Sequence, residues 1–179
     1  MSFMAGPVFA DANFLLYVLD AREPAKQARA AAWHAHLWDT NLGRTSTQVV
    51  SEFYVNLKRM AGARLTAEQA WTHAERYFAW EPRAIDDEVM RNARRIEQRH
   101  GISWWDSLVV AAAQVQECTL LLTEDLQDNG VYGSVTVRSP FTLEVREAAA
   151  SYTVLPRVAR AHRPRGRPKG AVARGQAVP

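Results

Sequence analysis

Four acids stand where a chain would ordinarily place an apolar residue or a simple cap: Asp11, Glu52, Asp106 and Asp125. Asp11 separates Pro7-Val8-Phe9-Ala10 from Ala12-Asn13-Phe14-Leu15-Leu16, an apolar strand running into an apolar helix. Asp125 follows the run Thr119-Leu120-Leu121-Leu122-Thr123. A carboxylate at the end of a buried strand is costly unless a cation or a hydrogen-bond network compensates it. If several such acids converge, the natural compensator is a hard divalent cation, Mg²⁺ or Mn²⁺, which prefers oxygen ligands. Chemistry on phosphate esters is what a cation held that way is suited to do.

Each acid also has a plainer reading. Asp106 completes a capping-box spacing with Ser103 and needs no further role to be explained. Asp125 opens the turn Asp125-Leu126-Gln127-Asp128-Asn129-Gly130, in which Asp128 has an equal claim on any metal. Glu52 is either solvated or directed at the site, since Lys58 and Arg59 do not stand at i+3 or i+4 from it. Asp11 is the hardest to explain away, because an ordinary strand end offers it little.

The elements that must position these acids follow from periodicity. Val8-Phe9-Ala10 reads as a short buried strand, and Phe14 to Leu19 as a helix with Asn13 as its cap. Pro24 opens a helix to about Trp38. Gly43-Arg44-Thr45 is a very short strand. Ser46 or Thr47 caps the next helix, which carries Val49, Val50, Phe53, Val55 and Leu57 on its apolar positions and ends near Met60-Ala61-Gly62. Thr66-Ala67-Glu68-Gln69 is a capping box opening a helix to about Phe78. Pro82 interrupts the chain, and Ala84-Ile85 forms a minimal strand.

Asp86 or Asp87 starts a helix ending near His100-Gly101. The helix after Ser103 has almost no polar face and must be covered on most sides. Leu120-Leu121-Leu122 reads as a strand buried on both faces, and Val135-Thr136-Val137 as a weaker one. Short apolar strands alternating with helices predict an α/β domain, three layers α/β/α around a short-stranded, mainly parallel sheet. In such sheets sites form beyond the carboxyl ends of the strands, where Asp11 and Asp125 both lie.

The bulk numbers bound the alternatives. With 179 residues, 47% of them hydrophobic, the chain supports one core and a modest appendage. The domain is expected over 1–142, with a short helix and linker over 143–156 and a basic tail over 157–179. Seven of the 22 Lys and Arg residues lie in 151–179, a stretch without Asp or Glu, so the first 150 residues carry a net charge of −4. No secretion signal and no 18-residue apolar segment is visible, which makes a cytoplasmic protein that does not span a membrane the expectation. The lone Cys118 reads as a small core hydrophobe.

Competing site chemistries lack their motifs. There is no Gly-x-Gly-x-x-Gly after a strand and no Gly-x-x-x-x-Gly-Lys loop. His34 and His36 diverge on a helix, so zinc is not supported. Asp11-Ala12-Asn13 lacks the second aspartate of an aspartyl-phosphate hydrolase.

Four stretches together resemble the PIN-domain ribonucleases, in particular the VapC-type toxins of toxin–antitoxin pairs. They are Val8-Phe9-Ala10-Asp11-Ala12-Asn13-Phe14-Leu15-Leu16-Tyr17, Ser46-Thr47-Gln48-Val49-Val50-Ser51-Glu52-Phe53, Gly101-Ile102-Ser103-Trp104-Trp105-Asp106-Ser107-Leu108, and Leu121-Leu122-Thr123-Glu124-Asp125-Leu126-Gln127-Asp128. The resemblance implies that Asp11, Glu52, Asp106 and Asp125 form an acidic quartet binding Mg²⁺ or Mn²⁺, with Asp128 a secondary ligand. Asn13 and Ser46 match polar residues that hold a carboxylate or water. It further implies endoribonucleolytic cleavage of RNA to a 3′-hydroxyl and a 5′-phosphate, a cognate antitoxin protein and a homodimer. The alternative is a non-catalytic nucleic-acid or protein-binding adaptor on the same fold, whose mark would be missing acids; none is missing.

Two features lie outside that quartet. Trp33, Trp38, Trp71, Trp80 and their aromatic neighbours exceed what one core already holding Trp104 and Trp105 should bury. They are either helix–helix packing or a hydrophobic groove for a partner helix. Arg163-Pro164-Arg165-Gly166-Arg167-Pro168-Lys169-Gly170 resembles an AT-hook, and the tail around it is expected at least to attract nucleic acid without sequence preference.

Overall fold

The computed structural model describes residues 6–60 and 65–146 of the chain. Its centre is a five-stranded sheet in the order β2-β1-β3-β5-β4, with β1 Val8–Ala10, β2 Gly43–Arg44, β3 Leu120–Leu122, β4 Val131–Tyr132 and β5 Val135–Arg138. Four strands are parallel and only β4 runs antiparallel, at the edge. Helices flank the sheet in a three-layer α/β/α arrangement: α1 Ala12–Tyr17, α2 Pro24–Asp39, α3 Thr47–Arg59, α4 Ala67–Glu75, α5 Asp87–His100 and α6 Trp104–Val115.

Short strands suffice because they are wholly apolar. Val8, Phe9, Ala10, Leu120, Leu121 and Leu122 are all buried, as a strand covered on both faces requires. The helices begin where their caps dictate. Ser46 Oγ accepts from the Val49 N–H at 3.3 Å, Thr66 and Gln69 close a capping box, Asp86 accepts from the Val89 N–H, and Ser103 from that of Asp106. Gly101, at φ 67°, ends α5 in the left-handed region. The nearly uniform apolarity of α6 is explained by its burial from Ser107 through Ala113.

Several details depart from the sequence expectations. The cap of α1 is Asp11, not Asn13: Asp11 Oδ1 accepts from the Ala12 N–H at 2.7 Å. Ala84-Ile85 forms no strand. The chain touches the β2 end only through an isolated bridge between Ser46 and Arg83, and Asp86 then starts α5. α4 stops at Glu75 and tightens into a 3₁₀ helix over Arg76–Trp80 before the left-handed Glu81 and Pro82. The edge strand β4 was not expected; the turn through Gly133, at φ 63°, folds it back on β5.

Most of the aromatic residues pack inside. Trp33 and Trp80 are buried, and a Cβ on Gly43 would fall 2.5 Å from the Trp80 ring, so this glycine lets the ring lie on β2. Trp105, expected inside, is 63% exposed, while Trp71 and Phe78 are about half exposed. Burial pushes the Cys118 thiol up to about 12, in keeping with a core residue rather than a nucleophile. Val145 and Arg146 begin a helical turn where the described residues end. The rest of the expected terminal helix, and the basic tail over 157–179, lie outside them.

Candidate functional site

β1 and β3 are adjacent and parallel, and the strand order reverses across them, with β2 on one side and β5 on the other. Ligands of open α/β sheets bind beyond the carboxyl ends of strands at such a reversal. Ala10 pairs with Leu122, and the Asp11 N–H donates to the Leu122 carbonyl at 3.2 Å, so the residues leaving these two strands emerge side by side.

Asp11 is only 6% exposed. Its carboxyl is raised from 3.8 to about 6, first by burial. Hydrogen bonds from Thr123 and from the Ala12 N–H oppose that rise, and the charges of Asp125 and Glu52 add to it. No cationic side chain is among the groups acting on it. Asp11, Glu52 and Asp125 therefore share one electrostatic neighbourhood, reached from β1, from the second turn of α3 and from the loop after β3.

Thr123 is the centre of this neighbourhood, and the sequence reading did not single it out. Its hydroxyl donates to Asp11 Oδ2 at 2.7 Å and accepts from Asn13 Nδ2 at 2.9 Å and from the Asp125 N–H at 3.1 Å. One side chain thus orients two of the acids and Asn13. The available signal was a polar residue closing the apolar run of β3 two positions before Asp125. Gln48 is a second addition: one turn before Glu52, it donates from Nε2 to Glu52 Oε1 at 2.9 Å.

The remaining candidates are tied differently. Asp106 forms a reciprocal pair with Ser103, accepting from its hydroxyl at 2.6 Å while its own N–H donates to the same oxygen. It does not figure among the groups acting on Asp11. Ser46 is fully buried and caps α3, which places Glu52 a turn and a half further along. Burial raises the Asp128 carboxyl, but the Ser139 N–H, Arg138 and Thr142 outweigh it and leave the group below its ordinary value. Those bonds clamp the end of β5, so Asp128 has a structural task of its own.

Whether these residues suit a divalent cation can be judged from the donors. Asn13 Oδ1 and Gln48 Oε1 are buried acceptors that no protein donor meets. With the uncompensated Asp11 they make an all-oxygen set short of positive charge, which fits a hard cation. Among the described residues, however, no three Asp, Glu, His or Cys side chains stand close enough to cage an ion. Mg²⁺ does not require such a cage, because it keeps several of its waters and is usually held by one or two carboxylates together with substrate phosphates.

The family model for the PIN domain matches residues 8–127. A toxin–antitoxin complex from Klebsiella pneumoniae is similar in structure, with a TM-score of 0.53 at 19% identity over 78% of this chain and 100% of that one. A Mycobacterium tuberculosis VapC toxin described as cleaving the sarcin–ricin loop gives 0.45 at 19% identity, over 64% of this chain and 86% of that one. No match was found among curated protein sequences.

Proposed function

The chain belongs to the PIN-domain family, and on that premise we propose that it is a Mg²⁺- or Mn²⁺-dependent endoribonuclease, the toxin of a toxin–antitoxin pair. The observation that carries this reading is Asp11: a buried carboxylate at a sheet reversal, crowded by Glu52 and Asp125, with no protein cation to neutralise it. A bound divalent cation would supply charge neutralisation on the scissile phosphate and a more acidic water.

The protein's own groups do the rest. Asp11, Glu52 and Asp125 would hold the cation, directly or through water, with Asp106 as the fourth carboxylate of the set. Thr123 fixes the direction of Asp11 Oδ2, and Asn13 Oδ1 and Gln48 Oε1 are acceptors for ordered water. Water attacks phosphorus in line, the P–O3′ bond breaks, and the proton lost by water ends on O3′. The products are a 3′-hydroxyl and a 5′-phosphate. The 2′-hydroxyl takes no part, so preference for RNA would come from shape and single-strandedness. No histidine is needed as base. Outside the acidic body, the basic segment over 157–179 would attract the phosphate backbone without sequence preference.

The test is cleavage of a broad RNA panel by purified protein with Mg²⁺, Mn²⁺ or chelator. Wild type should cut only with metal, leaving 5′-phosphate ends, and Asp106→Asn should lower the rate by about 100-fold or more. Folded wild type that binds RNA but shows no metal-stimulated cleavage would instead support the adaptor reading.

A cognate antitoxin and a homodimer are part of the same proposal. Trp71 and Phe78 are exposed, 6.1 Å apart, and Trp71 meets Tyr54 edge-on at 5.7 Å. This aromatic strip is the kind of surface a partner covers. Light scattering at micromolar concentration should report a dimer; a strict monomer there would remove the homodimer from the reading. No helix among the described residues is long and apolar enough to cross a membrane.

A further inference from the structure

Next to the acid neighbourhood lies a cavity of about 410 Å³, formed by α1, the loop that follows it and the end of α3. Asn13, Tyr17, Asp20, Arg22, Asn56 and Arg59 are among its walls. Its size falls in the lower part of the range that encloses small organic ligands, about 300–1,000 Å³. Asn13 links it to the site: the side chain lines the cavity, donates to Thr123 and keeps Oδ1 without a protein partner.

The cations around this cavity are not equivalent. Arg22 is held at both ends of its fork by Asp20, at 2.8 and 2.7 Å. Lys26 sits over the Tyr17 ring and is bound by Glu124 at 2.9 Å. Arg59 has no acidic partner among the described residues. It is exposed in the last turn of α3, one turn beyond Asn56, so its guanidinium and the Asn56 amide stand at an i, i+3 spacing on the same helix face. A free planar fork beside an amide donor is suited to a phosphate. A cation lining the same cavity as Asn13 answers a problem of the neighbouring acids, which otherwise repel a polyanion.

We infer that this cavity is the subsite for the nucleotide next to the scissile phosphate of single-stranded RNA, with that nucleotide's own phosphate bound by Arg59 and Asn56. The inference rests on the ribonuclease reading above. It differs from that reading in residues and in readout, because it concerns substrate binding rather than the acids.

The test is the steady-state cleavage of one RNA that wild type cuts, at several salt concentrations, by the full-length protein and two variants. Arg59→Ala should raise KM about five- to tenfold and reduce the slope of log KM against log salt by about 0.7, the contribution of one phosphate contact on a single strand. Asn56→Asp, which puts a negative charge in the same place, should also raise KM. Both residues are exposed, so both variants should keep the wild-type melting temperature. If both keep the wild-type KM and salt slope while wild type cleaves, the subsite is wrong and the ribonuclease reading stands. If they lose affinity for an acidic peptide or a protein partner while KM for RNA is unchanged, the cavity belongs to a protein interface and the inference is overturned. If wild type cleaves no RNA, the ribonuclease reading fails and the subsite falls with it.

Discussion

Asp11→Asn should melt a few degrees above wild type in chelator at neutral pH, and yet cleave no RNA. The reason is the raised carboxyl. In the unfolded chain Asp11 loses its proton near 3.8, whereas in the folded protein it does so near 6. Between those values the unfolded state has given up a proton that the folded state still holds. This contribution to stability is therefore constant below about pH 4, falls as pH rises from 4 to 6, and stays lowered above that. Two pKa units correspond to about 3 kcal/mol at neutral pH. The amide carries no charge and removes this cost, but it turns an N–H₂ toward Thr123, whose hydroxyl donated to the carboxylate. Allowing about 1–2 kcal/mol for that mismatch leaves a net gain of about 1–2 kcal/mol. The measurement is urea unfolding in chelator at pH 4, 5, 6 and 7. Subtracting the variant from wild type isolates Asp11 from other titrating groups: wild type should be the more stable at pH 4, the variant the more stable at pH 7, with the order reversing between pH 4 and 6. Mg²⁺ should raise the melting temperature of wild type and leave the variant unmoved. A variant less stable than wild type at every pH would show that Asp11 is a structural cap and that its charge is not in excess.

The asymmetry between what the sequence revealed and what it concealed has a physical origin. Strands β1 and β3 were legible because they are continuous apolar runs, and the caps Ser46, Thr66, Asp86 and Ser103 because local hydrogen bonding fixes them within four residues. Asp11 and Asp125 stood out for the same reason, as charges at the ends of such runs. The pairing of β1 with β3, by contrast, joins residues more than a hundred positions apart, and Thr123 acquires its importance only from that pairing. A threonine after three leucines looks like the last residue of a strand. Trp105 lies outside the core, which the sequence concealed because the α6 helix has almost no polar face, and periodicity cannot show which side its first turn presents. The β4 edge strand was hidden by its length of two residues. Nothing in the sequence distinguishes Arg59 from its neighbour Lys58; only the fold shows which cation lines a cavity.

Replacing Thr123 with valine should reduce RNA cleavage by about 100-fold at low Mg²⁺, although the side chain touches neither metal nor substrate in the proposed mechanism. Valine keeps the shape but leaves Asp11 Oδ2 without its donor, and Asn13 Nδ2 and the Asp125 N–H without their acceptor. Three groups that define the site then lose their common anchor in a place where Thr123 is 1% exposed and water cannot easily substitute. A buried group left unpaired costs about 1–3 kcal/mol, so some loss of stability must accompany the change. Removing the hydrogen bond that lowers the Asp11 carboxyl also raises it further above about 6, which favours the proton over a cation at the same oxygens. Partners that orient a metal ligand typically change affinity or activity by about 10–100-fold when lost. The Mg²⁺ concentration giving half-maximal cleavage should therefore rise by a comparable factor, with much of the rate returning at high Mg²⁺. Thr123→Ser, which keeps the hydroxyl and loses only a methyl group, should recover most of the wild-type Mg²⁺ dependence. A merely structural threonine would give the opposite pattern: both variants would lower the yield of folded protein, and what remained would respond to Mg²⁺ as wild type does.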